Sequence, residues 1–127
     1  MHKFIPVNTP LLTNGNEKKY LNECIDTGWI SSEGPFVSRF EEEFALSVGR
    51  KFAVAVANGT AALDASLIAL GISKGDEVLM PTFTIISCAS AITRTGAEPV
   101  FVDCDPNTFN INVDLIEPLI TDKTKAI

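Results

Sequence analysis

Asn58-Gly59-Thr60 breaks a run of small apolar residues, with FAVAVA over 52–57 before it and AALDASLIAL after it. A glycine and a threonine at the start of a helix can hold an anion. Such a start presents backbone N–H groups with no partner inside the helix, together with the positive end of the helix dipole. Gly59 lets a ligand approach the backbone closely, and Thr60 adds a hydroxyl donor to the amides of Thr60 and Ala61. The same residues fit equally well a capped helix that follows a tight turn. Neither G-x-G-x-x-G nor G-x-x-x-x-G-K-[ST] occurs in the chain, which argues against a dinucleotide site or a mononucleotide P-loop.

Two further segments invite chemistry. Phe83, in Pro81-Thr82-Phe83-Thr84, is an aromatic in a polar setting; it fits a ring lying flat against a bound ring, or a core side chain, the commoner use of phenylalanine. Asp103 and Asp105 fit acceptors for a ligand or residues that steady loops, and Asp105-Pro106-Asn107 reads first as an ordinary turn. The single histidine, His2, lies near the N-terminus, so neither a Ser-His-Asp or Cys-His device nor a His/Cys metal site is expected. Cys24, Cys88 and Cys104 lack C-x-x-C spacing and read as small packing thiols in a reducing compartment. No lysine is placed as a nucleophile. Lys51 and Lys74 precede strands, at the wrong end of a sheet, and Lys123 and Lys125 lie at the last predicted strand. The main catalytic group of an enzyme built on these residues would lie elsewhere.

These side chains need elements to position them. The chain has 127 residues, 46% of them hydrophobic, enough for the core of one domain. Its formal charge of -6, with scattered basic residues, argues against a nucleic-acid surface. No segment reaches the roughly 18 apolar residues of a membrane span, and no signal peptide is seen, so a cytoplasmic protein is expected. Residues 1–15 read as an extended arm. Asn16 is a candidate cap for a helix whose Tyr20, Leu21, Cys24 and Ile25 share a face and which Gly28 closes. Pro35 suits the first turn of a second helix, in which Phe36, Phe40 and Phe44 recur every fourth residue. Strands are predicted at 52–57, 77–80 and 98–103, helices at 60–70 and 84–95, and a last helix from Asn112 that Pro118 kinks or shortens. Lys125-Ala126-Ile127 looks like the opening of another strand, as though the chain were a truncated piece. Alternating strands and helices indicate an α/β domain with parallel strands, whose ligands gather at the carboxyl ends of those strands. Those ends are Asn58 to Thr60, Pro81 to Thr84 and Asp103 to Asp105.

The succession WISSEGPFVSRFEEEFA, VANGTAAL, GDEVLMPTFTIISCASAI and GAEPVFVDCDPNTFNI resembles the N-terminal part of the DegT/StrS-type sugar aminotransferases, in order and across almost the whole chain. These are pyridoxal-phosphate (PLP) enzymes that aminate keto-sugars carried on nucleotide diphosphates. The Trp-Ile-Ser-Ser-Glu-Gly version, with its Asn-Gly-Thr cup, is most similar to members that move an amino group from glutamate to GDP-4-keto-6-deoxymannose. The resemblance implies an α/β/α architecture with a mostly parallel sheet, a partial large domain of the aspartate-aminotransferase-like (type I PLP-dependent transferase) fold. Residues 1–15 would be the arm and 16–127 an incomplete PLP-binding large domain. It implies that Gly59, Thr60 and Ala61 hold the cofactor phosphate and that Phe83 stacks on its pyridine ring. Trp29, Ser31 and Ser32 would lie near the sugar, in a loop often shared across a homodimer. No nucleic-acid or membrane partner is implied.

The aspartate that pairs with the pyridine nitrogen and the lysine that forms the Schiff base match no position here, so these residues alone are expected to be inactive. The resemblance also implies that the strand at 52–57 has no native neighbour and that the faces of 77–80 and 98–103 are half uncovered. Self-association is the expected result. Two readings of other classes stay open. One is a non-catalytic α/β piece that keeps an anion cup and pairs with itself or a complementary chain; the other is a mononucleotide-binding domain, disfavoured by the missing fingerprint.

Overall fold

The computed structural model describes residues 4–12 and 14–127, so His2 lies outside the described residues. The chain falls into two compact units, one up to Ala55 and one from Val56 to Ile127.

The first unit carries α1 (Glu17–Thr27) and α2 (Pro35–Ser47). Gly28 closes α1 in the left-handed conformation (φ 76°), which glycine adopts without steric cost. Asn16 stands at the N-cap but makes no side-chain cap bond, because its φ of -99° and ψ of 9° are not the extended geometry that brings a cap oxygen over the first turn. Only its carbonyl serves, accepting from Tyr20 N–H at 2.9 Å. Pro35 opens α2, where its missing N–H is not needed. Tyr20 packs on Phe36 with ring centroids 5.3 Å apart, and Phe40 on Phe44 at 5.7 Å. Leu21 and Ile25, on the shared apolar face of α1, are exposed, and Ala45 is the buried residue of α2.

No strand forms over 52–57. Among the described residues none supplies a partner ladder, and without one the apolar run is only a preference: Phe52 and Val54 are 76% and 80% exposed instead of buried on both faces. Among the described residues, the one long-range hydrogen bond of this stretch is from Ala55 N–H, which donates to Glu41 Oε1 at 2.7 Å.

The second unit is α/β. α3 (Gly59–Ala69) is followed by β1 (Glu77–Pro81), α4 (Ile86–Arg94), β2 (Glu98–Val102) and β3 (Thr124–Ala126). The sheet order is β2-β1-β3 and both pairings are parallel, with Leu79 opposite Val100 and Pro81 opposite Val102. The α/β class with parallel strands is as the sequence indicated. Val78 and Met80, two residues apart and so on one face, join Ile72, Ile92 and Ala97 in the core, with Leu67 of α3 and Cys88 of α4 packed against it. Leu79, 1% exposed, is buried on the opposite face. β1 is therefore buried on both faces, against the expectation of a half-uncovered strand, and as the central strand it is paired along both edges, by β2 and β3. For β2 the expectation holds in part, with Phe101 exposed and Val102 buried.

The expected helix from Asn112 is replaced by two short 3-10 turns, Val113–Leu115 and Glu117–Leu119. Asn112 caps the first, accepting from Asp114 N–H at 3.1 Å. Pro118 has no N–H to extend an α-helical ladder, so the segment closes with i to i+3 bonds such as Ile120 N–H to Glu117 O at 3.2 Å. Among the described residues no helix is long and apolar enough to cross a membrane.

Candidate functional site

The start of α3 is a capped helix terminus with donors left over. Asn58 is extended, and its Oδ1 accepts from Ala61 N–H at 2.9 Å while its carbonyl accepts from Ala62 N–H at 3.1 Å. Of the three residues singled out in the sequence, Ala61 thus has its amide committed to the cap. The amides of Gly59 and Thr60 meet no protein acceptor among the described residues, as expected of the first two helical positions. A Cβ built on Gly59 would meet nothing within 4 Å, so no side chain or backbone crowds the Gly59 Cα. Two amides and the positive end of a helix dipole form a donor set suited to a phosphate, with the Thr60 hydroxyl beside them.

The hydroxyl is not alone. Thr60 Oγ1 donates to Ser87 Oγ at 3.1 Å, both side chains half-buried, which ties the first turn of α3 to the first turn of α4. The sequence reading missed Ser87. Its only signal was a hydroxyl four residues beyond Phe83, at the start of a helix that opens on the same end of the sheet.

Phe83 lies in the loop from β1 to α4, at the carboxyl end of the sheet, and is 65% exposed. It is not a core side chain. Its ring meets Phe109, with centroids 5.2 Å apart and an interplanar angle of 45°. Phe109 has φ 58°, the one non-glycine residue with positive φ among those described. A bulky L residue there costs roughly 1–2 kcal/mol.

Both aspartates steady loops. Asp103 Oδ1 accepts from Thr82 Oγ1 at 3.1 Å, joining the carboxyl ends of β1 and β2, and from Cys104 N–H at 2.8 Å. Asp105 Oδ1 accepts from Thr108 N–H at 2.8 Å and Asn107 N–H at 2.9 Å. Those two backbone donors, Thr108 first, hold the Asp105 carboxyl below its ordinary pKa.

Trp29, Ser31 and Ser32 belong to the first unit. All three are exposed, in the loop between α1 and α2. The indole of Trp29 lies over Gly34, where an added Cβ would sit 3.1 Å from the ring, and Gly34 has φ 151°. Ser31 Oγ donates to Glu33 O at 2.9 Å and accepts from Glu33 N–H at 3.3 Å, so this hydroxyl is used within its own loop. Among the described residues no group of three or more His, Cys, Asp and Glu side chains is placed to hold a metal ion.

The lysines of the second unit stand away from these strand ends. Lys74 lies beside Gly96, just before β2, and the Lys123 carbonyl accepts from Glu77 N–H at the start of β1. Lys125 Nζ donates to Asp122 O at 3.3 Å.

This α/β arrangement is a portion of a fold seen in solved sugar-processing enzymes. The aminotransferase from Psychrobacter cryohalolentis superposes with a TM-score of 0.82 at 36% identity, over 91% of this chain and 30% of its own. The Escherichia coli GDP-4-keto-6-deoxy-D-mannose-3-dehydratase, solved with bound hydrated PLP, does so at 0.80 and 28% identity, over 91% of this chain and 31% of its own. Residues 12–127 match the DegT/DnrJ/EryC1/StrS aminotransferase family, and the chain belongs to that family. The GDP-perosamine synthase of Escherichia coli O157:H7 is 53% identical over 98% of this chain and 34% of its own length. The chain spans about a third of the length of the curated relatives it matches.

Proposed function

We propose that these residues form the phosphate cup and ring platform of a PLP-dependent aminotransferase that transfers an amino group from glutamate to a nucleotide-linked 4-keto-6-deoxy sugar. The substrate class we favour is GDP-4-keto-6-deoxymannose, with GDP-perosamine as product, on the strength of 53% identity to a GDP-perosamine synthase. The structural observation that carries the reading is the α3 terminus, where the amides of Gly59 and Thr60 have no protein acceptor among the described residues and the Thr60 hydroxyl, paired with Ser87, stands beside them. Gly59 and Thr60 bind the cofactor phosphate through these donors. Ala61 contributes its amide only if the Asn58 cap lets go, so its part is the smaller. Phe83 gives the pyridine ring a flat apolar partner and keeps water from one face. The bound cofactor supplies an electron sink for the carbon that exchanges the amino group.

Trp29, Ser31 and Ser32 are assigned to the sugar side, within a homodimeric cytoplasmic enzyme. The lysines described above stand at the amino ends of the strands, or in their own turns, and none serves as the proton carrier that transamination requires. We infer that this carrier, and the partner of the pyridine nitrogen, come from beyond these residues and that the chain alone is inactive.

The test joins this chain to the C-terminal two thirds of the Escherichia coli relative and follows glutamate-dependent amination of GDP-4-keto-6-deoxymannose. Amination by the joined protein, and none by the chain alone, is expected. No cofactor absorbance and no product from the joined protein would sink the proposal, and turnover by the chain alone would overturn the placement of the proton carrier.

A further inference from the structure

The loop that follows β2 is built around one exposed ring. Cys104 and Ile111 form an isolated antiparallel bridge, Asp105 N–H donates to Asn110 O at 2.9 Å, and Phe109 N–H donates to Asp105 O at 2.8 Å. Inside that frame the Asp105 carboxylate collects the amides of Asn107 and Thr108. Every one of these bonds tightens the turn that leaves Phe109 at φ 58°. Tight turns put glycine or asparagine at such a position, and a phenylalanine is kept there only where the surroundings over-determine it. The ring is 56% exposed, so burial in the core does not account for it. Its aromatic neighbour is Phe83, at 5.2 Å.

We propose that Phe109 is a positioning residue: held in a left-handed backbone conformation by the Asp105 turn, it sets the attitude of the Phe83 ring and, through it, of the flat heteroaromatic ring that Phe83 supports. This proposal rests on Phe83 being the ring platform. The Thr82 to Asp103 bond acts in the same direction, since it pins the two strand ends that carry Phe83 and the Phe109 loop. A tilted pair of rings 5.2 Å apart favours one orientation of Phe83 about its first side-chain bond.

The experiment has two arms. In the full chain, nuclear magnetic resonance of labelled phenylalanines reads the ring contact without any cofactor: Phe83 to Phe109 cross-peaks are expected, with Phe83 ring signals shifted in Phe109→Leu and restored in Phe109→Tyr. Cross-peaks missing from the unaltered chain, or Phe83 signals unmoved in Phe109→Leu, would overturn the proposal. In the joined protein described above, induced circular dichroism of bound PLP is expected to weaken in Phe109→Leu and to recover in Phe109→Tyr. Cofactor affinity should fall about two- to tenfold in Phe109→Leu, the range an aromatic pair contributes. Unchanged dichroism beside shifted Phe83 signals would show that the contact exists but does not reach the cofactor, which also overturns the proposal. If the unaltered joined protein binds no PLP, the cup has failed, and the first arm alone decides whether Phe109 sets Phe83.

Discussion

At the scale of single residues, the hydroxyl pair of Thr60 and Ser87 is the feature most open to measurement. A hydroxyl donates one proton, so while Thr60 gives its proton to Ser87 it offers a phosphate only a lone pair. Binding a phosphate requires the pair to reverse: Ser87 donates to Thr60 Oγ1, and Thr60 donates outward. In the joined protein, Thr60→Ala should weaken PLP retention by about 1–3 kcal/mol, the value of one charge-assisted hydrogen bond. Ser87→Ala should weaken it by less, because Thr60 keeps its hydroxyl and loses only the partner that aims it. The double variant should bind no more weakly than Thr60→Ala, since Ser87 acts only through Thr60. Equilibrium dialysis against PLP measures all three, and fully additive losses would mean that Ser87 touches the ligand itself. Phe83→Ala is expected to lower turnover while leaving the melting temperature within a few degrees, because a ring this exposed contributes little to the core. Loss of soluble protein would make Phe83 a structural residue.

At the scale of elements, what the sequence made legible was what depends on neighbours along the chain. Gly28 and Pro35 mark helix ends through local backbone geometry, and both helices end or begin where those residues fall. α3, β1, α4 and β2 lie within a residue or two of their expected spans. The failures share a cause, which is dependence on something distant or on an angle that composition does not set. The run at 52–57 has strand composition without a ladder; Asn16 has cap chemistry without cap dihedrals; the stretch after Asn112, expected as a helix that Pro118 kinks or shortens, forms only 3-10 turns. Ser87 and Phe109 escaped for the same reason, since each matters through a partner more than twenty residues away. The Asp105 turn gives this scale its prediction. A carboxyl whose folded pKa lies below its unfolded value contributes stability that is complete above the unfolded value, about 3.9, and is lost as the pH falls through the folded value. Urea unfolding of the full chain between pH 5 and pH 2 should therefore show Asp105→Asn approaching the unaltered chain in stability as the pH drops, the gap being widest near pH 5. A gap that stays constant to pH 2 would show that the turn does not depend on the carboxylate.

At the scale of the whole molecule, apolar surface and charge pull in opposite directions, and magnitudes decide between them. Both outer edges of the sheet, on β2 and β3, lack a partner among the described residues. Phe52, Val54, Phe101 and Ile127 are all more than half exposed, and a groove of about 470 Å³ in the second unit is lined by Leu63, Leu67, Met80, Ile92 and Ile127 among others. Burying one such side chain on association is worth about 1.5–3 kcal/mol, so four of them offer a gross gain near the 8 kcal/mol of a micromolar complex. Ordering and lost freedom of motion reduce that gain, while unpaired strand edges add backbone hydrogen bonds to it. The opposing formal charge of -6 is spread over the surface and screened beyond about 8 Å at physiological salt. Association should win. Light scattering of the purified chain at 0.15 M salt and tens of micromolar is expected to give a mass above the 13.7 kDa of one chain, rising with concentration. Lysine at positions 54 and 101, Val54→Lys with Phe101→Lys, should bring the mass down, because each charge is placed where a strand edge or an apolar face would be covered. A constant single-chain mass across the whole concentration range would mean that these surfaces are covered within the monomer in solution, and the exposed edges would then carry no association.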